Sequence, residues 1–109
     1  MEIDDTGRFS DPSLLVLSSL ADGPKHGYAM TRDIENSAGV ALGPGTLYAA
    51  VARLEKRGLI EALPVEERRK PYRLTRQGSH LLAARLHSMA RFATTGLERL
   101  AAASATDCK

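Results

Sequence analysis

At 109 residues, with 43% apolar side chains, the chain has room for one domain and a modest core. No run approaches the roughly 18 apolar residues of a membrane-spanning helix, and the opening Met1-Glu2-Ile3-Asp4-Asp5 is acidic where a secretion signal needs a basic start. The single Cys108 has no internal disulfide partner, which points to the reducing cytoplasm. The net charge of +2 hides a gradient: residues 1–13 carry Glu2, Asp4, Asp5 and Asp11 against Arg8, whereas residues 51–76 carry eight basic side chains against four acidic ones. Local charge sets the electrostatic footprint, so the second stretch is the candidate for contact with a polyanion.

Residues 1–10 show no periodicity and read as a mobile acidic leader. Asp11-Pro12 then supplies a favoured N-cap and a residue pre-set for the first helical position. Leu14, Leu15, Val16, Leu17 and Leu20 follow, apolar nearly all round, as in a short buried helix, and Asp22-Gly23-Pro24 stops it. A second helix is predicted from His26 to about Ala38, with Gly27, Met30, Ile34 and Ala38 on one face and Gly39 as its C-terminal stop. Gly43-Pro44-Gly45-Thr46 opens a third, whose inward stripe is Leu47, Val51 and Leu54; Gly58 ends it, after Lys56 and Arg57.

Leu59 to Leu63 is strand-like, Pro64 to Pro71 is a charged turn, and Tyr72-Arg73-Leu74 alternates as a return strand, so residues 59–74 read as one hairpin. Thr75 is the next N-cap. Beyond it Leu82, Leu86, Met89, Ala93, Leu97 and Leu100 step by three or four. A helix over residues 76–103 would be roughly 40 Å long, more than the small core beside it can cover. Residues 104–109 read as a frayed tail. The order is that of a winged helix-turn-helix: a mainly α (α+β) fold with three N-terminal helices and a two-stranded wing over residues 11–75, then a long C-terminal dimerisation helix.

Three stretches carry a resemblance: His26-Gly27-Tyr28; Gly45-Thr46-Leu47-Tyr48 with Arg53-Leu54-Glu55 and Gly58-Leu59-Ile60; and Tyr72-Arg73-Leu74-Thr75 with Gly78. In this order and spacing the sequence resembles the PadR-like transcriptional regulators, in the shorter subgroup with one helix after the wing. The resemblance implies a homodimeric repressor of double-stranded DNA, with the third helix reading the operator and the last helix pairing with its copy. It also implies a small hydrophobic effector held between aromatics at the dimer interface, where this chain offers only Phe92 and no Trp. Gly43 stands where the family often has a Ser or Thr cap, Ala49 where Pro often follows the Tyr, and the wing turn has Glu66-Glu67 where Gly is usual.

On the third helix, the face opposite the inward stripe carries Gly45, Tyr48, Ala49, Ala52 and Lys56. Small residues there let a backbone approach DNA closely, while Thr46 and Tyr48 can donate to phosphates or base edges. The competing reading packs Tyr48 against the wing. Arg53, Arg68, Arg69, Lys70 and Arg73 are the further candidates for phosphate contact, against the bland reading of a solvated charged face. The resemblance suggests that Tyr28 touches or supports the DNA contact; a simply packed Tyr is the alternative.

Gly43-x-Gly45-Thr46 lacks the Lys and spacing of a phosphate-binding loop. His80 and His87 have no third ligand nearby, and no nucleophile stands at a recognisable spacing from them. No metal, cofactor or enzymatic activity is therefore expected. The alternative to a regulator is a winged-helix protein-interaction module without sequence-specific DNA binding.

Overall fold

The computed structural model describes residues 11–107; the expected mobile leader, residues 1–10, lies outside them, as do Cys108 and Lys109. The order is α1 (Pro12–Ser19), a 3₁₀ turn (Leu20–Asp22), β1 (Lys25–His26), α2 (Gly27–Ala38), α3 (Pro44–Lys56), β2 (Ile60–Ala62), β3 (Pro71–Leu74) and α4 (Arg76–Asp107). This is the mainly helical winged-helix arrangement that the sequence pattern predicts.

Helix ends form where local groups satisfy the backbone. The Asp11 carboxylate accepts from the amides of Ser13 at 3.0 Å and Leu14 at 3.3 Å, opening α1. His26 lies just outside α2 as its N-cap, in extended backbone, so that helix starts one residue later than expected. At the end of α3, Gly58 adopts φ +74°; its amide donates to the Glu55 carbonyl at 3.0 Å and the Leu59 amide to the Leu54 carbonyl at 3.0 Å. This pair of bonds is a Schellman closure, with Leu59 and Leu54 both buried beneath it.

The wing is more than the expected two strands. Strands β2 and β3 pair antiparallel, with Glu61 opposite Arg73, and β1 adds to the other edge of β3, with Lys25 opposite Tyr72 and His26 opposite Pro71. The sheet order is β1-β3-β2. Two residues are too few to show a period, and β1 exists only because β3 offers it an edge. Lys25 further secures this corner by donating to the Ser19 carbonyl and pairing with Asp22. At the wing tip Glu66 and Arg69 exchange two backbone bonds of 2.8 Å, and Glu67 and Arg68 between them have φ +49° and +68°. That is the two-residue turn whose twist suits a hairpin, built here without the usual glycine.

Val16, Met30, Ile34, Leu47, Leu54 and Ile60 are the large side chains fully enclosed at the centre of the core. Helix α4 enters this core at its first turns. A Cβ on Gly78 would lie 1.9 Å from the Leu59 carbonyl oxygen, so glycine alone lets the helix approach that closely. Thr75 ties the same junction: its hydroxyl donates to the Gly58 carbonyl at 2.7 Å and accepts from the Gly78 amide at 3.1 Å. One turn on, Leu82 is only 4% exposed and belongs to the chain's own core. It is therefore not part of the outward seam on which the sequence spacing places it.

Beyond Met89, α4 leaves the domain. Leu86 and Met89 border an apolar groove with Leu14, Leu15, Ile34 and Ala38, while Leu97 and Leu100 stand in the open. The helix continues to Asp107, past the end expected at residue 103. Its projection gives a radius of gyration of 17.3 Å, against about 13 Å for a compact chain of this length. Among the described residues no helix is long and apolar enough to cross a membrane.

Candidate nucleic-acid interface

Helix α3 turns by about 100° per residue, which sorts its side chains into a buried stripe, an outer strip and two flanks. Leu47, Ala50, Val51 and Leu54 are buried. Gly45, Ala49, Ala52 and Lys56 form the outermost strip, all exposed and three of them small. No side chain caps the helix at Gly43 and Pro44 occupies its first turn, leaving the N-terminal end uncluttered. Its free amides and positive dipole end suit an anion.

The two flanks differ. Tyr48 leans toward the N-terminus of α2, where a Cβ on Gly27 would meet its hydroxyl at 2.1 Å; Gly27 is thus the seat of the Tyr48 ring. Tyr48 stays 50% exposed, so the residue both packs against α2 and faces solvent. Thr46 and Arg53 lie on the other flank, and the Arg53 guanidinium donates to Ser13 Oγ of α1 at 3.3 Å. Arg53 is thereby separated from the wing cations with which its charge groups it in the sequence.

A cleft between α2, α3 and the wing collects the remaining candidates. His26, Tyr28, Tyr48, Arg68, Arg69 and Lys70 line it, with Tyr72 beneath. Lys70 Nζ sits 5.7 Å from the centre of the Tyr72 ring, a cation–π distance that holds the ammonium at the rim. Arg73 does not join them as a free cation. Its Nε donates to Glu61 at 2.8 Å across the β2–β3 ladder, so its charge is already paired.

Arg32, on the exposed side of α2, is a further cation beside Tyr28. Its Nη1 donates to the Tyr28 hydroxyl at 3.3 Å and its guanidinium stacks 5.9 Å from the ring centre. The hydrogen bond to Tyr28 is the main cause that raises the Arg32 pKa further. The four-residue spacing of Tyr28 and Arg32 was the available signal. The contact of His26 with Arg69, by contrast, spans 43 positions and has no sequence signal. Among the described residues, no three His, Cys, Asp or Glu side chains gather as a metal site.

An exposed helix with a small-residue strip, beside a basic hairpin, is a DNA-reading arrangement, and residues 16–84 match the PadR-like family of transcriptional regulators. The chain belongs to that family. This PadR-like chain is similar in structure to a transcriptional regulator from Clostridium thermocellum, at 27% identity and TM-score 0.73 over 89% of this chain and 97% of that one. It is also similar to a PadR family transcription regulator from Clostridium difficile, at 26% identity and TM-score 0.71 over 82% and 96% of the two chains. A curated relative, an uncharacterized 37.1 kDa protein in a transposon of Streptomyces fradiae, is 50% identical over 84 residues. Those residues are 77% of this chain and 24% of that protein, so the PadR-like chain spans about a quarter of the length of the relative. Family and fold together give the chain the character of a DNA-binding transcription regulator.

Proposed function

We propose that this PadR-like chain is a dimeric repressor of an inverted-repeat operator, with residues 11–75 as the DNA-binding unit and the helix beginning at residue 76 as the pairing element. The observation that carries the reading is the outer strip of α3, Gly45, Ala49, Ala52 and Lys56, exposed and bare of bulky groups beside a cationic wing. Small side chains let the helix sink into a major groove, where Thr46 and Tyr48 reach phosphates or base edges from its two flanks. Arg68, Arg69, Lys70 and Tyr28 then face the adjoining backbone, and Arg53 the backbone on the α1 side. Arg73 contributes to the extent that phosphate competes with Glu61 for it.

Pairing of two α4 helices through Leu86, Met89, Ala93, Leu97 and Leu100 is supported by the helix's projection from the domain and the exposure of its large apolar residues. A two-fold pair would set its two α3 helices into major grooves about one DNA turn, roughly 34 Å, apart. Phe92, 83% exposed beside this seam, is the aromatic available to a small hydrophobic effector that relieves binding. A cytoplasmic setting follows from this role.

The test is selection of bound fragments from genomic DNA by the purified chain, followed by titration of the recovered site against salt. A palindromic site bound in preference to random duplex, with steep salt dependence, supports the reading. A dimer with no preference over random duplex refutes it.

A further inference from the structure

The imidazole of His26 has two neighbours and the capacity for one. Its Nδ1 lies 3.3 Å from the Ala29 amide nitrogen at the start of α2, and its Nε2 lies 3.2 Å from Arg69 Nη1 on the wing. Both neighbours are N–H donors, and the guanidinium does not give up its protons. A neutral imidazole has one bare nitrogen and an imidazolium has none. The ring therefore accepts from Ala29 or from Arg69, never from both. A charge-assisted bond is roughly twice as strong as a neutral one, so while no carboxylate or phosphate pairs with it Arg69 takes the ring and the Ala29 amide gives way.

We propose that His26 is a positioning residue for the wing: it holds Arg69 against the N-terminus of α2 until a DNA phosphate takes Arg69 over, and the freed ring then caps α2. The proposal rests on the reading of this cleft as a DNA contact. A phosphate oxygen offers Arg69 a charged acceptor in place of a neutral one, and the helix end recovers its cap in the same step. The wing cation is thus held back while the chain is free, and the bound state leaves no amide of this corner open.

Protonation acts on the same ring. The charged groups facing it are Arg69, Arg68 and Lys70 with Glu66 and Glu67 from the wing, and the nearby hydroxyls are those of Tyr28 and Tyr48 from α2 and α3. An imidazolium accepts from neither partner and adds a second cation beside Arg69. An imidazolium therefore leaves Arg69 free for phosphate and adds its own charge to that attraction.

Ring-nitrogen NMR of the full chain decides the matter, because the two tautomers have distinct nitrogen shifts. The free protein is expected to show His26 protonated on Nδ1, and Arg69→Met to switch it to Nε2 with slower exchange of the Ala29 amide. A mixed-sequence duplex at low ionic strength is expected to cause the same switch in the wild type. His26→Ser keeps a capping hydroxyl but ends short of Arg69. It should bind that duplex roughly two- to tenfold more tightly, the excess of a charge-assisted hydrogen bond over the neutral cap that replaces it. An Arg69→Met chain with an unchanged tautomer overturns the proposal without any DNA. A duplex that shifts α3 resonances and leaves the ring protonated on Nδ1 overturns the hand-over. If Arg69→Met switches the ring but no duplex binds, the DNA reading itself fails and the hand-over with it.

Discussion

Gly78→Ala places a methyl group where the structure has backbone. The new Cβ would stand 1.9 Å from the Leu59 carbonyl oxygen and 2.9 Å from its carbon, neither of which can swing aside as a side chain could. Restoring ordinary contact at 3.4 Å requires α4 and the start of β2 to part by about 1.5 Å. That movement stretches the Thr75 amide bond to Leu59, now 3.1 Å, and the two bonds of the Thr75 hydroxyl to Gly58 and Gly78, now 2.7 and 3.1 Å. Each is worth about 1 kcal/mol net, and loosened packing of Leu59 and Leu82 adds to the loss. Alanine returns about 1 kcal/mol through its better helix propensity. The expected outcome is destabilisation of about 2–4 kcal/mol, or a melting temperature lowered by on the order of 10–20 °C for a domain of this size. Urea and thermal unfolding at one fixed protein concentration measure it. Gly45→Ala, in a helix and with nothing within 4 Å of its new Cβ, is the control and should be neutral or stabilising. A Gly78→Ala chain within about 0.5 kcal/mol of wild type would refute the claim that this contact seats α4.

Other outcomes follow from the same geometry. Glu61→Gln removes the partner of Arg73, and duplex binding should tighten while the log–log salt slope steepens by about 0.9, the value of one added phosphate contact; an unchanged slope removes Arg73 from the interface. Leu97→Arg with Leu100→Arg alters side chains that are 68% and 67% exposed within one chain. Light scattering should then report monomers whose circular dichroism retains the helical signal, and a persistent dimer would place the seam elsewhere. Glu67→Asn suits the left-handed backbone at φ +49° and should raise stability by about 0.5–1 kcal/mol in urea unfolding. The hydrogen bond from Lys25, reinforced by its charge, holds the Asp22 carboxyl below the ordinary carboxylate range. The stabilisation is present above that range and is lost as pH falls through the depressed value, so Lys25→Met should move the Asp22 titration upward in NMR.

The parts of this PadR-like chain legible in its sequence are those decided within a turn or two of helix. Asp11-Pro12, Gly43-Pro44, Arg57-Gly58 and Thr75 mark helix ends because caps and stops act over a few neighbouring residues. The stripes of α2 and α3 name their buried faces for the same reason, and the HGY, GTLY and YRLT motifs identify the family. Tertiary structure alone decided which candidates share a site. It paired Arg73 with Glu61 across two strands, turned Arg53 to Ser13 on α1, drew Leu82 from the apolar seam into the core, and set His26 against Arg69. The Ser13 and Arg69 contacts join residues 40 and 43 positions apart. The spacing of residues along a helix states which side a residue faces, but only the packing of whole elements states what stands opposite it.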